Sequence, residues 1–109
     1  MLEFSPAVEA AALYLLIGVF TIGALVNLIG PRPIRAEYER WGYPKNFRFV
    51  TAALEAITVA LLLLPSTRLA GLALGAAIMV AAIATLVRAG QYRQTAPAGI
   101  VLVLSLLLL

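Results

Sequence analysis

The sequence predicts an all-α integral membrane protein, a four-helix bundle with a short interfacial amphipathic helix between the first and second spans. Of its 109 residues, 63% are hydrophobic and 12% are charged, whereas soluble domains average about 45–50% and about 25%. The apolar residues fall into four long blocks, and the short connections between them hold nearly all the basic residues. The whole chain, 1–109, is therefore predicted to be a single transmembrane domain.

The four predicted spans cover residues 7–29, 46–64, 69–87 and 97–109. A hydrocarbon core about 30 Å thick requires about 20 apolar residues of helix, and the first three spans approach or exceed this length. The fourth is short. Either its helix begins nearer Tyr92, or the bilayer thins locally, or the sequence ends before the span does. No basic stretch precedes the first span, so its first residues are not expected to act as a signal peptide.

A short segment at 33–41 is predicted to lie on the membrane surface as an amphipathic helix. Its Ile34, Tyr38 and Trp41 recur at i, i+4 and i+7 and therefore share one helix face. Tyrosine and tryptophan favour the headgroup level of a bilayer. Trp41 and the following Tyr43 are therefore predicted to be interfacial anchors.

The basic residues predict the orientation of the chain. Arg68 stands alone in the second connection, whereas the first and third connections together hold Arg32, Arg35, Arg40, Lys45, Arg48, Arg88 and Arg93. The positive-inside rule places these two connections in the cytoplasm and both termini outside, in the inner membrane of a bacterium. Arg48 and Arg88 are expected at the cytoplasmic surface, facing anionic headgroups or a soluble partner. The net charge of +3 is explained by topology and does not indicate nucleic-acid binding.

One acidic residue, Glu55, lies near the middle of the second span. An ionisable group at that depth costs about 2.5–3.5 kcal/mol, so it must face other helices, a cavity or a ligand. Thr51 and Thr58 share its helix face, and Asn27 and Tyr14 of the first span are further candidate ligand-binding residues. Glu55 could join helices through a hydrogen bond, which averages about 0.6 kcal/mol. Alternatively, it is a cavity acid that exchanges a proton or binds a quinone head group.

The sequence contains no histidine and no cysteine, which removes disulfides, thiol chemistry and the commonest metal and haem ligands. It also lacks a nucleophile–base pair and a phosphate-binding loop. No catalytic residue, metal site or intrinsic cofactor is predicted, and the chain is not expected to be an enzyme on its own. A bound quinone or lipid is the small molecule that the deep acid would suit.

Several motifs resemble the DoxX-like branch of the DoxX/DoxD membrane proteins. In order, they are Tyr-Glu-Arg-Trp-Gly-Tyr-Pro at 38–44, Thr-Ala-Ala-Leu-Glu at 51–55, Leu-Leu-Pro-Ser-Thr-Arg-Leu-Ala-Gly at 63–71, and Met79 with Ala81 and Ala82. The chain departs at Ala52 and Ala53, where such proteins often have a glycine. The resemblance implies a four-helix membrane bundle associated with quinone or with redox partner subunits, and it singles out Glu55, the turn at 41–44 and Arg68.

Three functions remain open. The leading hypothesis is an accessory subunit, or a binder of a quinone or lipid-like ligand, in a membrane redox system. The second is a small proton-coupled transporter that acts as a dimer, because the chain is also similar in length, span number and embedded glutamate to small multidrug-resistance exporters. Here, however, the acid lies in the second span and aromatic surroundings for a cation are not evident. The third is a structural or assembly scaffold. The expected partners are the lipid bilayer, redox subunits and further copies of the chain.

Overall fold

The computed structural model describes residues 4–109, and they fold almost entirely into α-helix, which confirms the all-α prediction. The elements are α1 (Pro6–Ile29), α2 (Arg32–Trp41), α3 (Phe47–Leu63), α4 (Arg68–Arg88), a 3₁₀ turn (Tyr92–Gln94) and α5 (Thr95–Leu108). The described residues therefore form four longer helices and the short α2, which is itself a regular α-helix. The prediction that the first residues are not a signal peptide includes residues 1–3, and these lie outside the described residues.

Two of the described helices, α1 and α4, are long and apolar enough to cross a membrane. The predicted second and fourth spans are shorter as helices, because α3 has 17 residues and α5 has 14. A 3₁₀ turn leads directly into α5, so the apolar helical run covers Tyr92–Leu108. Of the three explanations for the short last span, the structure therefore agrees with a helix that begins near Tyr92. That all four longer helices cross a bilayer stays a prediction.

Local chemistry sets the helix boundaries. The Ser5 side chain accepts a hydrogen bond from the backbone N–H of Val8 at 3.3 Å and caps α1. Gly30 ends α1 in the left-handed region, with φ of 63°, and Gly42 ends α2 in the same way, with φ of 81°. Glycine adopts this backbone without the steric penalty of a side chain. The short α2 is therefore bounded by two left-handed glycines.

The core lies where α1, α3 and α4 meet. Leu16 and Phe20 of α1 pack there with Leu62 of α3 and Leu72 of α4. In the described chain α3 lies between α1 and α4, and α5 packs mainly on α4. The C-terminal halves of α1 and α4, near the two basic connections, lie beyond this core and form part of the wall of a cleft.

Helices α3 and α4 approach closely at Gly71. A Cβ atom there would lie 3.0 Å from both the Leu61 Cβ and the Leu62 backbone nitrogen. Because a backbone atom cannot move aside as a flexible side chain can, this contact favours glycine over any residue with a Cβ atom. Close backbone approach at small residues is the common way in which helices associate in a bilayer.

We expect the substitution Gly71→Ala to destabilise the protein, because the added methyl group forces α3 and α4 apart at a cost of about 1–3 kcal/mol. Gly99→Ala is the matched control: nothing lies within 4 Å of a Cβ at that position, and alanine favours helix by up to about 1 kcal/mol. Thermal unfolding in a mild detergent measures both variants. A Gly71→Ala protein as stable as the Gly99→Ala protein would contradict this packing.

Candidate ligand-binding site

A cleft of about 450 Å³ lies at the end of the bundle that carries the two basic connections. Its walls come from the C-terminal halves of α1 and α4, the N-terminal half of α3, and α2. The polar lining includes Asn27, Thr51 and Glu55, the aromatic lining is Tyr38, Trp41, Tyr43 and Phe47, and the apolar lining includes Leu54, Ile78, Met79 and Leu86. The cleft therefore combines a polar deep end with an aromatic mouth and an apolar wall.

Glu55 is buried, with 6% of its surface exposed, and Asn27 of α1 is its hydrogen-bond partner. Asn27 Nδ2 donates to Glu55 Oε1 at 2.7 Å and to the Gly23 backbone carbonyl at 2.9 Å. A backbone carbonyl can only accept, which fixes the amide orientation. Asn27 Oδ1 then accepts from the Tyr38 hydroxyl at 2.7 Å. Oε1 of Glu55 is therefore always an acceptor, whichever protonation state the carboxyl adopts.

The second carboxyl oxygen, Oε2 of Glu55, lies against Gly23 of α1. Among residues 4–109, no group donates a hydrogen bond to it or accepts one from it, and no buried side-chain oxygen or nitrogen in that range lacks a partner. Oε2 is therefore accessible, and Glu55 is part of the cleft lining. A proton on this carboxyl would be carried by Oε2, so the deep end of the cleft can donate or accept one hydrogen bond.

Gly23 makes room for this carboxyl group. A Cβ atom at Gly23 would overlap Glu55 Oε2, so only glycine lets the carboxylate lie against the backbone of α1. The sequence analysis did not identify Gly23 as a site residue. Its spacing of four residues before Asn27 was the available signal, since positions i and i+4 share a helix face.

Two residues outside the deep end hold Asn27 in place. Arg48 Nη1 donates to the backbone carbonyls of Asn27 and Leu28, each at 2.8 Å, and so satisfies acceptors that the last turn of α1 leaves open. Burial raises the pKa of the Tyr38 hydroxyl, which keeps it protonated as the donor to Asn27. Arg48, predicted as an interfacial residue, thus secures the end of α1 beside the cleft.

The aromatic mouth is closely packed. The rings of Tyr43 and Phe47 stack at 4.6 Å, and those of Tyr38 and Trp41 meet edge to face at 5.1 Å. The Arg88 guanidinium lies 5.7 Å from the centre of the Tyr43 ring. These rings correct the expectation that aromatic surroundings are missing around Glu55. The rings come from α2, α3 and their connection, so the one-dimensional pattern of the second span did not reveal them.

The face of α2 that carries Tyr38 and Trp41 packs against the rest of the helix bundle. Tyr38 is 8% exposed, the Trp41 ring nitrogen donates to Gln91 Oε1 at 2.7 Å, and the hydroxyls of Tyr43 and Thr85 are 2.5 Å apart. The role of Trp41 and Tyr43 as headgroup anchors stays a prediction. Both side chains have hydrogen-bond partners within the bundle and line the cleft.

Of the predicted ligand-binding residues, Glu55, Thr51 and Asn27 line the cleft. Thr58 lies fully buried one turn further along α3, and its hydroxyl donates to the Leu54 carbonyl at 2.8 Å. Tyr14 is 71% exposed and borders a separate cavity of about 480 Å³. It lies thirteen positions before Asn27 on the same helix, a rise of about 20 Å, and it is not part of the lining of this cleft.

The comparisons with known proteins identify one family. The family model described as the DoxX-like family matches residues 11–108, which confirms the resemblance and extends it through α1. No curated protein and no solved structure matches the sequence significantly.

We expect Gly23→Ala to displace the Glu55 carboxyl from Asn27 and to destabilise the protein by about 1–3 kcal/mol. Gly18→Ala, five residues earlier in α1, is the control, because nothing lies within 4 Å of a Cβ there. In a Glu55→Ala background, Gly23→Ala should no longer destabilise the protein, because the carboxyl group that the new methyl group would meet is absent. Thermal unfolding of the wild type, the three single variants and the double variant tests this, and equal effects of Gly23→Ala in both backgrounds would contradict the assigned contact.

Proposed function

We propose that this chain, which belongs to the DoxX-like family, binds a small amphiphilic ligand of the quinone class within the membrane. It acts as an accessory subunit of a membrane redox system. The observation that carries the proposal is the Glu55 carboxyl in the cleft lining, whose second oxygen, Oε2, has no hydrogen-bond partner among residues 4–109 and is not fully enclosed. Family membership indicates a membrane protein, and the chemistry of the cleft supports the proposed ligand class.

In this proposal α1, α3, α4 and α5 all cross the inner membrane of a bacterium, with both termini outside. The two apolar helices of full spanning length, α1 and α4, support it. The basic residues support the orientation, because seven of the eight lie in the first and third connections or at the helix ends beside them. The cleft lies at that same end, which in this orientation is the cytoplasmic headgroup region, where an amphiphile places its polar group.

A quinone head group matches the polar and aromatic lining. A protonated Glu55 donates from Oε2 to a quinone carbonyl, and an ionised Glu55 accepts from the hydroxyl of the reduced form. The aromatic rings provide flat surfaces for the ligand ring, and Leu54, Ile78 and Met79 provide an apolar wall for its tail. A volume of about 450 Å³ lies within the range of small-molecule pockets, about 300–1,000 Å³.

In this proposal the ligand and the partner subunits carry the electrons, and the chain itself does not. The chain has neither histidine nor cysteine, the side chains that most often hold haem, metal or a reactive thiol. Its own contribution is to bind the ligand, to orient one polar group of it toward Glu55, and to hold a proton there. We therefore expect the protein to be purified together with quinone or with a redox partner.

A proton-coupled transporter of lipophilic cations is the second candidate, and one observation favours it. The four aromatic side chains at the mouth lie in the same cleft as a carboxyl group, and aromatic faces together with a carboxylate attract organic cations. This reading requires an ionised Glu55 and release of its proton when the cation binds. It differs from quinone binding in its dependence on charge.

Two substitutions of Glu55 separate the candidates. In Glu55→Gln, Asn27 still donates to the amide oxygen, so the new NH₂ group faces the cleft and can donate to a quinone carbonyl. We expect this variant to keep binding of oxidised decylubiquinone within about fivefold, the equivalent of about 1 kcal/mol. Glu55→Leu removes the donor and should weaken binding by at least about tenfold. Glu9→Gln, an exposed acid at the other end of α1, should change nothing.

Binding is measured by quenching of tryptophan fluorescence and by mass spectrometry of the quinone retained after purification. If Glu55→Leu binds and retains quinone like the wild type, the proposed site is wrong. The same proteins are tested with tetraphenylphosphonium. Proton release from the wild type, abolished in both Glu55 variants, would support the transporter, and binding of neither ligand would leave the scaffold hypothesis.

A further inference from the structure

We propose that α2 is a lid over the cleft, held closed by a latch that consists of Trp41, Gln91 and Glu37. The inference rests on the proposed function, because it describes how a ligand reaches the site. Ile34, Glu37, Tyr38 and Trp41 of α2 all line the cleft. A ligand bound at Glu55 is therefore covered on one side by this single short helix.

The latch consists of two consecutive hydrogen bonds through one side chain. Trp41 Nε1 donates to Gln91 Oε1 at 2.7 Å, and Gln91 Nε2 donates to Glu37 Oε2 at 3.1 Å. Both ends of the Gln91 amide are thus occupied by α2, although Gln91 belongs to the connection between α4 and α5. All three residues are only half-buried, so water can replace both hydrogen bonds when the latch opens.

The two ends of the lid differ in how firmly they are held. At its N-terminal end, the Arg48 guanidinium packs against Gly30, where a Cβ would overlap it. At its C-terminal end, Gly42 has a φ of 81° and Gly90, beside Gln91, has a φ of 75°. Nothing lies within 4 Å of a Cβ at either glycine. The lid is therefore anchored near Gly30, and its other end is joined to α3 by the connection 42–46 and held against the bundle by side-chain contacts, including the latch.

Ligand binding and lid position are joined through Tyr38. Its hydroxyl donates to Asn27, the residue that also donates to Glu55. Lifting the C-terminal end of α2 separates Tyr38 from Asn27 and uncovers the path to Oε2. Closing restores the hydrogen bond and covers the ligand. Movement of the lid therefore changes the rate at which a ligand enters and leaves the cleft. It has a smaller effect on the contacts that the bound ligand makes at Glu55.

The first test needs no ligand, because Trp41 is the sole tryptophan in the sequence. Its emission and its quenching by acrylamide report the position of the lid. Gln91→Leu removes the latch and should raise the quenching constant at least twofold and shift the emission to the red. Arg93→Leu, at an exposed position in the same connection, is the control and should match the wild type. Unchanged quenching in Gln91→Leu would overturn the latch.

The second test locks the lid. The natural sequence has no cysteine, so in the double variant Glu37→Cys and Gln91→Cys a reducible bis-methanethiosulfonate reagent can bridge only this pair. We expect the bridged protein to take up decylubiquinone at least tenfold more slowly than the same protein after reduction. Equal rates would overturn the lid and leave the proposed function intact. If the unmodified wild type binds no quinone, the proposed function fails, and acrylamide quenching alone decides whether α2 opens.

Discussion

A carboxyl group inside an apolar helix bundle must have a hydrogen-bond partner, and this constraint organises the structure around Glu55. A buried carboxyl group without a hydrogen-bond partner destabilises the folded state by more than most single contacts stabilise it. Asn27 meets the requirement at 2.7 Å, and its remaining hydrogen bonds extend the constraint to α2 through Tyr38 and to the backbone of α1 at Gly23. Because Asn27 engages only Oε1, the same arrangement leaves Oε2 without a hydrogen-bond partner among the described residues.

Much of the fold could be predicted from local patterns. Long apolar blocks, the Ser5 cap and the glycine and proline breaks set helix ends close to those observed, and the cost of a buried acid directed attention to Glu55. Thr51 and Asn27 were also identified, and both line the cleft. Their pairing was not predictable, because the contact of Asn27 with a residue 28 positions away depends on the rotation of α1 against α3. For the same reason, Tyr14 and Thr58 were also named as candidates, and the structure places both outside the lining of the cleft.

The amphipathic α2 shows a second limit of sequence patterns. A helix with Ile34, Tyr38 and Trp41 on one face has the same periodicity whether that face meets lipid headgroups or a protein cleft. Only the partners distinguish the two, and those of Tyr38 and Trp41 are Asn27 and Gln91, which are distant in sequence. The aromatic character of the cleft was therefore missed, although every ring in it was visible in the sequence.

The most direct test of the central interaction is a double-mutant cycle with Asn27→Leu and Glu55→Leu, measured as the free energy of unfolding in detergent. Each single substitution leaves one polar partner buried without the other and should destabilise the protein, whereas replacing both with apolar groups removes that penalty. The account predicts that the double variant loses less free energy of unfolding than the sum of the losses in the two single variants, by about 1–3 kcal/mol. Additive effects within about 0.3 kcal/mol, as found for independent sites, would contradict it.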